Sequence, residues 1–124
     1  MSGIPVTGIN ELVLEVLDLD RAVDFYSGVL GLDLAGRRED RAWFKVGEGA
    51  RLGLWTPQVG IAGGRGGVHV HYAMHVPEDA YDAVVVRLRD HGQETHEEDF
   101  EENGRAAYVT DADGNVVELW TWTG

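Results

Sequence analysis

A chain of 124 residues with 44% hydrophobic content has room for one folded core rather than two, and is too apolar to stay disordered. Its 22 acidic and 10 basic side chains leave a formal charge of −12, which repels phosphate backbones; with no basic stripe to oppose it, nucleic acid is excluded as a partner. Cysteine is absent, so disulfides, thiolate metal sites and cysteine nucleophiles are excluded, and any metal must be held by nitrogen and oxygen.

The N-terminal residues form neither a basic n-region nor an apolar h-region, and no stretch approaches the length of a membrane span, so a cytoplasmic protein without a membrane partner is expected. Residues 9–16, rich in β-branched residues and leucine, predict a strand. Asp18 then serves as a helix N-cap, and Asp20 lies in the first turn, where the helix dipole favours negative charge. Ala22, Val23, Phe25, Tyr26, Val29 and Leu30 fall at the three- and four-residue spacing of one buried helical face. Gly31 stands where a left-handed residue closes such a helix. Strands are predicted at about 32–37, 41–46 and 51–56, followed by a glycine-rich connector at about 59–67. Such a loop cradles phosphate only when a helix follows it, and residues 68–76 read as a strand.

The second half repeats the order of the first. A strand ending at Val76 leads to a helix with Glu78 and Asp79 in its first turn, Tyr81, Val84, Val85 and Leu88 on one face, and Gly92 at its end. Three more strands are predicted, near 93–98, 105–110 and 116–122. The segment from Glu11 to Val16 aligns with His71 to Val76, and Leu52 to Thr56 with Val117 to Thr121. The expected fold class is α+β: two tandem βαβββ modules in one domain, at about 4–58 and 68–124, forming a curved mixed sheet with helices on its outer face.

Strand alternation assigns the faces. Leu12, Leu14, Val16, Tyr72, Met74, Val117 and Leu119 are expected toward the helices. The opposite face collects Glu11, Glu15, Arg51, Gly53, Trp55, His69, His71, His75, Glu118, Trp120 and Trp122. Three tryptophans on an open face would leave a large apolar patch in water, so this face is expected to curve around a ligand or to be covered in a dimer. Carboxylates beside indoles need a compensating cation or hydrogen-bond donors, and a metal ion is one such compensator.

These residues resemble a known family. Glu11-Leu-Val-Leu-Glu-Val-Leu-Asp18 through Phe25-Tyr26 and Gly28-Val-Leu-Gly31 look like the first-module signature of the vicinal oxygen chelate superfamily. Gly104-Arg105 with Tyr108-Val-Thr-Asp111-Ala-Asp113-Gly114-Asn115 and Glu118 looks like its closing hairpin, with Ala112 where proline is usual. This superfamily includes glyoxalases, bleomycin resistance proteins, fosfomycin resistance enzymes and dioxygenases. The resemblance implies metal ligands at Glu11, His71 and Glu118, with Gly53 at a fourth position it cannot serve, and Glu11 where histidine is usual. A divalent metal (Mn, Fe, Ni, Co or Zn) would act as a Lewis acid toward a small-molecule ligand. Trp55, Trp120 and Trp122 would line the pocket, with Arg51, His69 and His75 on the same face. A homodimer is implied, with the site either within one chain or shared between two, so that Glu11 of one chain could meet His71 and Glu118 of another.

Two functions follow from this reading. One is a metal-dependent enzyme, a lyase or dioxygenase of the glyoxalase type. The other is a non-catalytic antibiotic resistance protein that sequesters an aromatic or cationic drug, as bleomycin resistance proteins do. Each residue also has a plainer role: Glu11 as the partner of an arginine, the tryptophans as interface residues, and the acidic run 97–102 as a solvated loop.

Overall fold

The computed structural model describes Gly3, Pro5 and residues 7–56 and 71–123. The glycine-rich connector and His69 lie outside the described residues. The first half contains β1 (Glu11–Glu15), α1 (Leu19–Val23), a π-helical continuation (Asp24–Val29), β2 (Leu34–Arg37), β3 (Arg41–Val46) and β4 (Ala50–Trp55). The second half contains β5 (His71–His75), a 3₁₀ turn (Glu78–Ala80), α2 (Tyr81–Asp90), β6 (His96–Asp99), a 3₁₀ turn (Glu101–Asn103), β7 (Arg105–Thr110) and β8 (Val116–Trp120).

The strands form two four-stranded mixed sheets, ordered β1-β4-β3-β2 and β5-β8-β7-β6. In each, the first strand pairs in parallel with the last, and the other neighbours are antiparallel. The repeat read from the sequence is thus a repeat in topology: this is the two-module α+β fold, with one four-stranded sheet to each module where a single sheet is expected.

Local chemistry explains the boundaries. Asp18 caps α1, its carboxylate accepting the Arg21 amide at 3.1 Å. The helix then widens, with Leu30 N–H bonded to the carbonyl of Phe25 at 3.1 Å, five residues back. Phe25 and Tyr26 are both buried on this wider turn. Gly31, at φ +74°, makes the left-handed exit, and Leu32 N–H still bonds to the Tyr26 carbonyl, so β2 starts later than the sequence predicts. Likewise Gln93 N–H bonds back to the Leu88 carbonyl at 3.0 Å, which holds the chain on the helix end and delays β6 to His96. β8 ends at Trp120 because Thr121 turns toward Arg105, exchanging bonds through its amide and its hydroxyl.

One continuous core serves both halves. Val16, Ala22, Tyr26, Phe44, Leu52 and Leu54 join Tyr81, Leu88, Val109 and Val117, all nearly without solvent exposure. Polar links cross the same seam. The Tyr26 hydroxyl donates to Asp111 Oδ2 at 2.8 Å, Leu17 N–H donates to Asp113 Oδ1 at 2.9 Å, and Arg87 donates to the carbonyls of Val29 and Gly28. Asp111 is buried and also accepts the amides of Asp113 and Asn115 and the Asn115 side chain, so its carboxylate is fully engaged. Among the described residues no helix is long and apolar enough to cross a membrane.

Candidate functional site

The outward faces of β1 and β5 are those expected from alternation. Glu11, Val13 and Glu15 are exposed while Leu12 and Leu14 are half-buried; His71, Ala73 and His75 are exposed while Tyr72 and Met74 are half-buried. Register extends each face across its sheet. In the second sheet Ala73, Glu118, Tyr108 and His96 lie in one row.

His71 and Glu118 meet there. His71 Nε2 is 3.3 Å from Glu118 Oε1, and the Tyr108 hydroxyl donates to Oε2 at 2.9 Å. The Glu118 side chain is only 5% exposed, so these two partners supply the compensation that a buried carboxylate requires. Burial first, then the adjoining Glu118, pushes the Tyr108 hydroxyl up to about 12, which keeps it a proton donor at neutral pH. The rings of His71 and His96 flank Tyr108, with centroids at 6.3 and 6.1 Å.

The equivalent row of the first sheet holds Val13, Gly53, Trp43 and Gly36. Glu11 is bound by an arginine: Arg51 Nε donates to its Oε1 at 3.0 Å. Arg51 also lies over Trp43 at 5.6 Å, and Arg41 lies over Trp55 at 4.6 Å. Trp43 rests against Gly36, where a Cβ would come within 3.0 Å of the indole. At Gly53 a Cβ would stand 3.2 Å from a Val13 methyl, 3.4 Å from Trp55 Nε1 and 3.6 Å from Glu11 Oε1. The missing side chain lets these three groups close over the strand.

At the far end of the second sheet Trp120 and Trp122 stack at 4.8 Å, with Phe100 edge-on to Trp120 at 5.9 Å. Trp120 Nε1 donates to the Asn103 carbonyl at 2.9 Å. Trp122 remains 42% exposed and Phe100 38%, so the cluster presents aromatic surface to solvent.

The structure therefore brings together His71 with Glu118, Glu11 with Arg51, Gly53 and Trp55, and Trp120 with Trp122. It does not bring Glu11 to His71 and Glu118: among the described residues no group of three histidine, aspartate or glutamate side chains is placed to hold a metal within one chain. His75 ends β5 beside an apolar cavity of about 450 Å³ bordered also by Met74, Val84 and Arg87.

Comparison with known proteins follows the same outline. The family model described as Glyoxalase/Bleomycin resistance protein/Dioxygenase superfamily matches residues 8–119. The chain belongs to this superfamily. Over 122 residues it is 30% identical to the metallothiol transferase FosB of Shouchella clausii, covering 95% of this chain and 82% of that protein. It is 28% identical to the glutathione transferase FosA of Serratia marcescens, covering 90% and 78%. The crystal structure of lactoylglutathione lyase from Agrobacterium tumefaciens superposes with a TM-score of 0.79 at 25% identity, covering 95% of this chain and 96% of that one.

Within this superfamily fold, sequence reasoning gives no role to Trp43 or Tyr108, although both stand on the face that carries Gly53 and Glu118. The signal was available: β3 and β7 are equivalent strands, and in each the central aromatic lies opposite the position held by Gly53 or Glu118.

Proposed function

We propose that this chain is a metal-dependent small-molecule enzyme of the fosfomycin-resistance and glyoxalase type, its metal held by His71 and Glu118 of one copy and Glu11 of a second. The observation that carries this reading is the His71–Glu118 pair, an imidazole nitrogen and a carboxylate oxygen 3.3 Å apart on neighbouring strands at the edge of an open face. Its likeness to a protein named a metallothiol transferase and to one named a glutathione transferase supports it. The donor set fits: one nitrogen with carboxylate oxygens suits Mn, Fe, Ni, Co or Zn, and Glu11 uses only Oε1 toward Arg51, leaving Oε2 without a donor among the described residues.

A divalent ion held there would supply Lewis acidity toward an oxygen of the substrate. Each residue of the chain has a task beside it. Tyr108 fixes Glu118 through Oε2 and so turns Oε1 toward His71. Arg51 fixes the Glu11 carboxylate in the same manner. Trp55, Trp120 and Trp122 exclude water from the bowl that two facing sheets would make.

Complementation tests this reading. Glu11→Ala and His71→Ala proteins, each inactive and poor in metal when pure, are unfolded together and refolded as a mixture. Mixed dimers then carry one intact site, and metal content is expected to recover to about a quarter of the wild-type value, the share expected of random pairing with one intact site in each mixed dimer. No recovery in a mixture shown to contain mixed dimers refutes a site shared in this way.

A second reading, sequestration of an aromatic cation, is favoured by the exposed Phe100–Trp120–Trp122 cluster in a chain of charge −12. Wild-type protein that is metal-free after metal loading, yet whose tryptophan emission is quenched by a planar cation, would select it.

A further inference from the structure

The two sheets permit a comparison within one chain. Glu11 is matched by His71, Gly53 by Glu118, Trp43 by Tyr108, and Arg51 by Val116. At the last of these positions the fold accepts a half-buried valine, so nothing in the strand pairing requires a cation there. Arg51 nevertheless occupies it, on the face that carries Glu11.

Its guanidinium is only partly used. Nε donates to Glu11, while among the described residues the two terminal amino groups have no acceptor. The side chain is 52% exposed, and its approach to Trp43 restrains it over an indole seated on Gly36. A planar fork with two parallel N–H donors matches the two oxygens of a carboxylate or phosphonate group. Charge points the same way. A divalent metal held by Glu11 and Glu118 would cancel their charges, leaving Arg51 a cation beside it inside a protein that is otherwise strongly acidic.

We propose that Arg51 is the specificity-determining residue of the site, binding an oxyanionic group of the substrate through its terminal amino groups while Trp43 supports the flanking part of the molecule. This rests on the metal-site reading above, and through Arg51 it joins the anion to the ligand Glu11.

The test uses full-length protein loaded with Mn²⁺, as wild type, Arg51→Gln and Arg51→Lys, each checked for native circular dichroism. Metal content is measured first, and each protein is then titrated calorimetrically with methylphosphonate and, separately, with acetate. Wild type is expected to bind at least one of the two, and Arg51→Gln to bind it about tenfold or more weakly, as loss of a charge-assisted pair implies. Arg51→Lys, which keeps the charge and loses the fork, should fall between them. Preference for methylphosphonate would make the substrate a phosphonate or phosphate, and preference for acetate a carboxylate; either supports the proposal. Equal affinities in wild type and Arg51→Gln overturn it, as does a wild type that binds neither anion. The two ideas fail separately: wild type without metal whose anion affinity still depends on Arg51 sinks the metal site alone, and metal-loaded protein indifferent to Arg51→Gln sinks this proposal alone.

Discussion

Glu118→Gln separates metal binding from packing. Glutamine has the size of glutamate; its amide oxygen still accepts the Tyr108 hydroxyl, and its amide nitrogen faces His71 Nε2. In the metal-free protein two effects oppose each other. Bonds to a charged group contribute about 1.5–3 kcal/mol and are weakened, while the desolvation of a carboxylate with 5% exposure, costing several kcal/mol, is relieved. The net change should stay within about 1 kcal/mol. Metal affinity should behave otherwise, because a neutral amide is a poor donor to a hard cation; a loss of about 100-fold is expected, at or beyond the upper end of what removing an outer partner of a metal ligand causes. Linkage turns this into stability. At free metal one hundred times the wild-type Kd, binding adds about 2.7 kcal/mol to the wild type and about 0.4 kcal/mol to a variant weakened a hundredfold. Urea unfolding with Mn²⁺ and with chelator measures both quantities. Equal stabilisation of the two proteins by metal would refute the assignment of Glu118 as a ligand. A metal-free variant weakened by more than about 3 kcal/mol would make its role structural.

Asp111→Asn should destabilise the fold by about 2–4 kcal/mol in urea, because an amide group then opposes the Tyr26 hydroxyl and the Asn115 side chain inside the seam; a loss under 0.5 kcal/mol, roughly the scatter of surface substitutions, would contradict the network. Tyr72→Phe is expected to be neutral or stabilising by up to about 1 kcal/mol, since among the described residues the buried Tyr72 hydroxyl has no partner of good hydrogen-bond geometry although it adjoins Tyr26; a loss above about 1 kcal/mol would reveal a bond. All four tyrosines are held above their ordinary value, Tyr72 and Tyr108 pushed up to about 12, with burial the leading cause in each. The phenols stay protonated in the folded chain while the unfolded chain loses its protons from pH 10. Their contribution is therefore complete below pH 10 and is lost as pH rises above it, at up to about 1.4 kcal/mol per pH unit for the deeply placed Tyr26 and Tyr72 and less for the solvent-screened Tyr108. Absorbance at 295 nm should show no tyrosinate near pH 10 before unfolding, and a titration centred at 10 in native protein would refute this.

Much of this architecture was legible because it rests on short-range chemistry. Asp18, Gly31 and Gly92 mark helix ends through a capping carboxylate and left-handed backbones, and the alternation of β1 and β5 assigned their faces correctly. What could not be read depends on distant partners. The widened turn at Asp24–Val29 shows no signature in its apolar spacing. Trp43 gains its place from Gly36 on a neighbouring strand, and the Glu11–Arg51 bond spans 40 residues that only the parallel pairing of β1 with β4 closes. The plain reading of Glu11, as the partner of an arginine, is the contact seen within one chain. The placement of Glu11 with His71 and Glu118 remains a proposal about two copies.

β1 and β5 each lie at the margin of a sheet, with one row of backbone groups unpaired by any strand of that sheet. A bare margin of this kind invites other chains to zip onto it, and charged side chains are a common deterrent. Glu11 and Glu15 on one margin, and His71 and His75 on the other, stand where such a deterrent belongs. Replacing them with apolar residues to probe chemistry would therefore also unguard the strands, and a poorly soluble variant would report on aggregation before it reported on catalysis.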